Sequence, residues 1–271
     1  MKTFGIVGRS IFGKINRLVF GIISKLLVLV FWIIIWYAIY VLVGRELYVP
    51  SPFAVGERLL ELVVLETFWV EVFHSIVRVT AGVIISMLAG LVLGVAAALN
   101  KAIYAIVEPM VSAIRVTPVL SFIILALIWL NSNMVPVFIC LLMCFPIIWT
   151  NVVGGIRQVD MQLLEMAKVY QVTKPKVFSK IYLPTMRPYF VAGTISALGL
   201  GWKVSVAAEI LSYPRYGIGS NIYSAKAYID TVELFAWTAV IIMLSMLFEK
   251  LLVKLLKTSK SAAGSEAGFD A

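Results

Sequence analysis

Long apolar stretches separated by short polar ones dominate this chain. Leu26–Val43 carries no charge, and residues 79–99 form a second charge-free stretch between Arg78 and Lys101. No charged residue occurs anywhere in residues 116–156. That is about twice the 20 or so apolar residues that one bilayer-crossing helix needs. Asn131-Ser-Asn133 divides it, giving one span over 119–130 plus preceding residues and another over 135–153. Two further stretches, 189–211 and 234–252, bring the expected total to six spans. The fold class predicted is an all-α membrane protein.

The polar intervals are as informative. Leu47-Tyr-Val-Pro-Ser-Pro52 is a proline break, and residues 56–77 mix apolar side chains with Glu57, Glu61, Glu66 and Glu71. This reads as an amphipathic segment near the outer surface, leading into the second span. Residues 1–25 carry Lys2, Arg9, Lys14, Arg17 and Lys25 and no acid, with Phe4, Val7, Ile11, Ile15, Leu18 and Ile22 at helical spacing. That pattern predicts a basic amphipathic helix lying on the membrane. The expected division is a cytoplasmic amphipathic segment over 1–25, a six-helix transmembrane domain over 26–257, and a Ser/Ala/Gly-rich disordered tail over 258–271.

Composition agrees. The chain is 62% hydrophobic and 14% charged, whereas a soluble domain carries roughly 25% charge. So few charges cannot cover a surface that faces water. The net charge of +9 does not indicate nucleic acid, because lysine and arginine gather in the cytoplasmic loops of membrane proteins. The amino end, the Lys101 turn, the loop at 154–188 and the carboxyl tail are all basic. Six spans put all of them on one side, with both termini cytoplasmic; five would separate the two basic ends. No small-residue cleavage site follows Leu26–Val43, so it is expected to remain as the first span rather than be removed as a signal peptide.

Candidate chemistry is sparse. Cys140 and Cys144 lie four apart in an apolar run and the only histidine is His74, which favours packing over a metal site. Gly8-Arg-Ser-Ile-Phe-Gly13-Lys14-Ile15 nearly matches a phosphate-binding loop, but isoleucine replaces the hydroxyl that would hold magnesium. Gly82, Gly90 and Gly94 suit close helix packing, the last two as a small-xxx-small pair. Lys203 and Glu209 fall within the fifth span, about 120° apart on a helix. Charges at such depth usually face a cavity or a partner. Both are candidates for a pathway or gate, Lys203 to attract or pass an anion and Glu209 to order the outer gate; the plainer alternatives are a structural ion pair between subunits, or snorkelling of Glu209 to the interface. Tyr213-Pro-Arg-Tyr-Gly217-Ile-Gly219 reads as a turn.

The loop at 154–188 carries the most specific pattern. Leu163-Leu-Glu-Met-Ala-Lys-Val-Tyr-Gln171 is helix-forming, Thr173 can cap a second short helix with Pro175 in its first turn, and Pro184 is expected to stop it. Glu165-x-Ala167, the turn residue Gln171 and Ile181-x-Leu-Pro184 resemble the EAA loop of ABC-importer permeases. Pro50-Ser-Pro52, His74-Ser-x-x-Arg78-Val, Arg115-x-Thr-Pro118 and Gly201-Trp-Lys-Val-Ser-Val-Ala-Ala-Glu209 are similar to the nitrate/sulfonate/taurine branch, so the resemblance covers about residues 50–252.

The resemblance implies a type I importer bundle in a prokaryotic inner membrane. It implies that the loop is a coupling helix docked on a cytoplasmic ATPase, with Glu165 and Ala167 at the docking surface and Lys168 beside them. Leu183 and Pro184 would fix the loop's exit. It further implies a second permease subunit, identical or paralogous, an extracytoplasmic substrate-binding protein, and ATP with magnesium held by the ATPase rather than by this chain. The cargo would be a small solute: an organic or inorganic anion such as nitrate, a sulfonate or taurine, or a vitamin-precursor-like compound. Gln171 departs from the glycine usual at that position, where a left-handed turn is free of cost. An ion-gradient transporter would call for inverted repeats and an intramembrane enzyme for a catalytic constellation; neither pattern is evident in the sequence.

Overall fold

The computed structural model describes Ser24 and residues 26–266, with side chains through Leu251. The amphipathic segment and near-miss phosphate loop expected over 1–25 fall outside the described residues, Ser24 apart. Among the described residues the chain is helical throughout, with no strand. Five helices are long and apolar enough to cross a membrane, and a bent pair makes six.

α1 (Leu26–Val43) lies at the periphery, with its apolar surface uncovered. Trp36 ties it inward, stacking on Phe235 and donating to the Pro50 carbonyl at 3.2 Å. α2 (Pro52–Val64) starts where Ser51 Oγ accepts from the Ala54 N–H. Arg58 on α2 pairs with Glu61 at 2.7 Å and with Glu233 at 2.5 Å. Hydrogen bonding to Glu61, then to Glu233, pushes the Arg58 pKa up.

α3 (Glu66–Leu99) begins after a single intervening residue, Leu65. The amphipathic segment expected over 56–77 is therefore divided between two helices, and its second half belongs to the span. The reason is length. At 1.5 Å per residue α3 extends about 51 Å, well beyond a hydrocarbon core of about 30 Å, so its first turns can carry Glu66 and Glu71 outside the apolar layer.

The third predicted span is not one helix. α4 (Lys101–Val116) and α5 (Val119–Trp129) meet at 106°. Pro118 lacks an N–H and pushes the preceding residue out of helical geometry; Thr117 is extended, at ψ 131°. α5, with 11 residues, is about 16 Å long and too short to cross alone.

α6 (Val135–Arg157) is the central helix, packed along both α3 and α9. Against α3 the seam repeats every fourth residue. Gly82, Ser86, Gly90 and Gly94 face Cys140, Leu141, Ile148 and Val152. A Cβ on Gly82 would sit 2.6 Å from Cys140 Cβ, and one on Gly90 2.7 Å from Ile148 Cγ2. Small residues thus let the backbones approach closely enough for dispersion to hold the pair. Against α9 (Leu183–Ser212), Gly193 fits over Asn151 and Gly201 over Cys144. Both cysteines are fully buried and free, and Cys144 Sγ donates to the Ala197 carbonyl at 3.1 Å.

α7 (Met161–Val169) follows a short turn, with Asp160 accepting from the Gln162 N–H. α8 (Lys174–Val177) does not end at Pro184 as predicted. A π-helical turn, Phe178–Tyr182, joins it to α9, so Lys174–Ser212 runs on without interruption. The wider turn explains the difference: the Leu183 N–H reaches back to the Phe178 carbonyl, and Pro184, having no N–H to satisfy, is accommodated in the first turn of α9. α10 (Ile218–Ala227) and α11 (Thr231–Glu266) complete the bundle. α11 stays helical to Glu266, past residue 258 where a disordered tail was expected.

Candidate functional site

Three features stand out, and α9 runs through or starts from each. At the end of the bundle away from α7, helices α3, α9 and α10 enclose Glu209, which is completely buried. Its carboxylate accepts from Arg78 Nη1 at 2.9 Å, from Ser75 Oγ at 2.7 Å and from the Gly219 N–H at 3.1 Å. Ser75 Oγ also accepts from the Ile218 N–H at 2.9 Å, and Glu71 accepts from the Gly217 N–H. Arg78 Nη2 reaches Asn133 in the turn between α5 and α6 at 2.8 Å. Gly219 is required by contact, since a Cβ there would lie 2.4 Å from Glu209 Cβ. The network therefore fastens the start of α10 and the α5–α6 turn to two spanning helices.

This places Glu209 in an ion pair within one chain. It joins two of the quoted stretches, His74-Ser-x-x-Arg78 and the one ending at Glu209, which lie about 130 residues apart. Sequence reasoning assigned no role to Ser75, Arg78, Glu71 or Asn133. The available signal is the three-residue spacing of Ser75 and Arg78, which puts them on one helical face.

Lys203 behaves differently. It is exposed on a helix whose neighbours Trp202, Val204 and Ser205 are buried. Among the described residues it forms no ion pair. Ala192 and Ser196 share this uncovered face of α9.

The third feature is the α7 loop. Met161, Leu163, Met166, Val169 and Tyr170 are exposed, although α7 is not part of a span. Glu165, Lys168, Leu183 and Pro184 are exposed as well. Ala167, expected at a docking surface, is buried at 5% exposure, so its side chain offers little area to a partner. Gln171 adopts the left-handed conformation, at φ 52°. The Val172 N–H bonds to the Ala167 carbonyl at 2.9 Å and the Gln171 N–H to the Lys168 carbonyl at 3.1 Å. This pairing is the Schellman termination that usually uses glycine. The turn geometry is thus kept, and glutamine bears the strain.

A multi-pass helical bundle with a broken span, an exposed cation on one spanning helix and an apolar-faced helix held outside it fits a membrane component of a transport assembly. Residues 90–258 match the family described as binding-protein-dependent transport system inner membrane component, and the chain belongs to that family. A bicarbonate transport system permease protein, CmpB, from Synechococcus elongatus is 30% identical over 159 residues, 58% of this chain and 57% of that protein. The chain thus matches little more than half the length of that relative. The taurine transport system permease protein TauC of Escherichia coli is 26% identical over 209 residues, 75% of this chain and 76% of that protein. Among solved structures, an inward-facing MetNI methionine ABC transporter chain superposes with a TM-score of 0.60 at 15% identity, covering 70% of this chain and 96% of that one. At that identity the likeness shows the fold.

Proposed function

We propose that this chain is the permease subunit of an ATP-driven importer of a small anion. The observation that carries the reading is the apolar, exposed surface of α7. A helix outside the spans that presents methionine, leucine, valine and tyrosine to water calls for a protein partner. Family membership supports an ATPase subunit as that partner; in this reading α7 with Glu165, Lys168, Gln171, Leu183 and Pro184 is its docking region. The basic loops support a cytoplasmic position for this face and for both termini.

The remaining parts follow from the same reading. The transmembrane domain of residues 26–257 forms one half of the pathway, and the uncovered face of α9 meets a second permease subunit across it. Nucleotide and magnesium bind the ATPase, while this chain supplies no catalytic group. A binding protein delivers the solute at the distal end, where the Glu209 network orders the mouth. The anion is inferred from the relatives named for bicarbonate and taurine, and from Lys203 standing unpaired on the pathway face.

The test is co-purification. Glu165→Lys and Met166→Asp should each strip the ATPase from the complex and abolish ATP-dependent uptake, while membrane insertion stays unchanged. Uptake that persists without ATP, or an ATPase that stays bound to both variants, overturns the assignment.

A further inference from the structure

A cavity of about 400 Å³ opens between the end of α4, the middle of α6 and α9. Arg115, Thr117, Thr150 and Asn151 line it, with Ile114 and Leu200 among the apolar walls. Its depth can be read from α6. Pro146 is the midpoint of Val135–Arg157, about 16 Å from either end. Arg115 Nη2 donates to the Pro146 carbonyl at 3.2 Å, so the guanidinium sits halfway through the bundle, beside the break between α4 and α5.

Among the described residues that cation has no counter-charge. A guanidinium offers five N–H donors, and this one gives one to a carbonyl. The ion pairs among the described residues are Arg58 with Glu61 and Glu233, and Arg78 with Glu209; Arg115 is in none. No carboxylate lines the cavity. Glu71 and Glu209 are engaged in the distal network, and Glu108 lies two turns back along α4.

The other polar groups narrow what could fit. Thr150 donates its proton to the Pro146 carbonyl at 2.6 Å, and Thr117 to the Ala113 carbonyl at 2.8 Å. Asn151 donates one amide hydrogen to the Ile147 carbonyl at 2.8 Å, which leaves the second. The free donors are therefore those of Arg115 and Asn151, set among apolar walls. Lys203, about one turn from Leu200 on α9, adds a second unpaired cation on the same side.

We infer that this cavity binds the transported anion in passage, that its ligand is a small oxyanion such as a carboxylate or sulfonate, and that Arg115 is the binding residue. A planar guanidinium fits a pair of such oxygens in a way an ammonium cannot. The inference rests on the importer reading for what drives passage. The charge preference of the cavity does not depend on it.

The experiment measures that preference directly. Leu200→Cys is introduced into the full chain, co-expressed with its partner subunits in membrane vesicles. Labelling rates are measured with sulfonatoethyl and trimethylammonioethyl methanethiosulfonate, each divided by its rate with free mercaptoethanol. The normalised ratio should favour the anionic reagent by about tenfold, the lower end of what a cleft lined by one sign of charge achieves. Arg115→Gln should bring it near unity and Arg115→Lys should keep most of it. Ethanesulfonate, but not tetramethylammonium, should slow labelling where Arg115 is intact, a readout that needs no Arg115 variant to fold. A ratio unchanged by Arg115→Gln, no protection by ethanesulfonate, or an introduced thiol reached only by lipid-soluble maleimides overturns the inference. ATP-dependent uptake by the parent is measured separately. Its absence would count against the importer reading and leave the charge-selectivity result standing.

Discussion

Glu209→Gln changes one atom of the distal network and nearly nothing in volume. The amide keeps an acceptor for Ser75 and Gly219, now 2.7 and 3.1 Å from the carboxylate. What it removes is the charge facing Arg78, which is 6% exposed. Leaving one member of a buried pair uncompensated costs about 3–5 kcal/mol, so the variant should lose that much stability in equilibrium unfolding by SDS in mixed micelles. The double variant Arg78→Met/Glu209→Gln removes both members of that pair, with Glu71 still held by the Gly217 N–H. Its cost should fall to about 1–2 kcal/mol, chiefly the lost bond to Asn133 and imperfect packing. The two changes are therefore strongly non-additive, with the double variant more stable than Glu209→Gln alone. A Glu209→Gln protein within about 1 kcal/mol of the parent would refute the reasoning, since buried pairs broken on one side do not behave so. So would a double variant as unstable as the sum of its parts.

Three further outcomes follow from the packing and the loop. Gln171→Gly should stabilise the α7 termination by up to about 1 kcal/mol by removing the left-handed strain, read as slower limited proteolysis between α7 and α8 with ATPase binding retained; faster cleavage would contradict it. Gly90→Ala should destabilise the α3–α6 seam by about 1–3 kcal/mol. Gly199→Ala, where a Cβ meets nothing within 4 Å, should be neutral, and equal losses in the two unfolding curves would show the seam to be looser than described. Lys203→Met should abolish anion uptake while the ATPase still co-purifies; normal uptake would remove Lys203 from the pathway.

Much of the fold was legible because lipid imposes a simple rule: about 20 apolar residues per crossing. Residues 135–153 and 189–211 were found on that rule alone, though α6 and α9 each extend several residues further. The errors arose where the rule is silent. Hydropathy cannot tell that Glu66 and Glu71 ride on the same helix as residues 79–99, because a helix may project beyond the apolar layer. Nor can it tell that Pro184 continues a helix while Pro118 breaks one. Both are prolines near helix starts, and the difference lies in whether the preceding turn can widen. Of the candidate sites, the α7 loop was readable from local spacing. The Glu209 network was not, since its partners lie about 130 residues apart and meet only through the α3–α9 packing. The burial of Ala167 also needed the fold, because a nine-residue helix gives too short a period to say which side chains are covered.

The unbroken rod from Lys174 to Ser212 has a mechanical consequence. Its 39 residues extend about 58 Å, with the tether to α7 at one tip and Glu209 near the other. Pivoting by about 5° around its middle would displace each tip by about 2.5 Å in opposite directions, using only the helical rise as a ruler. A push at the foot of such a lever need not be relayed residue by residue. It would arrive at the far tip as geometry, and the π-helical turn near the foot, with Pro188 just beyond it, is where the stroke could be lost to twisting.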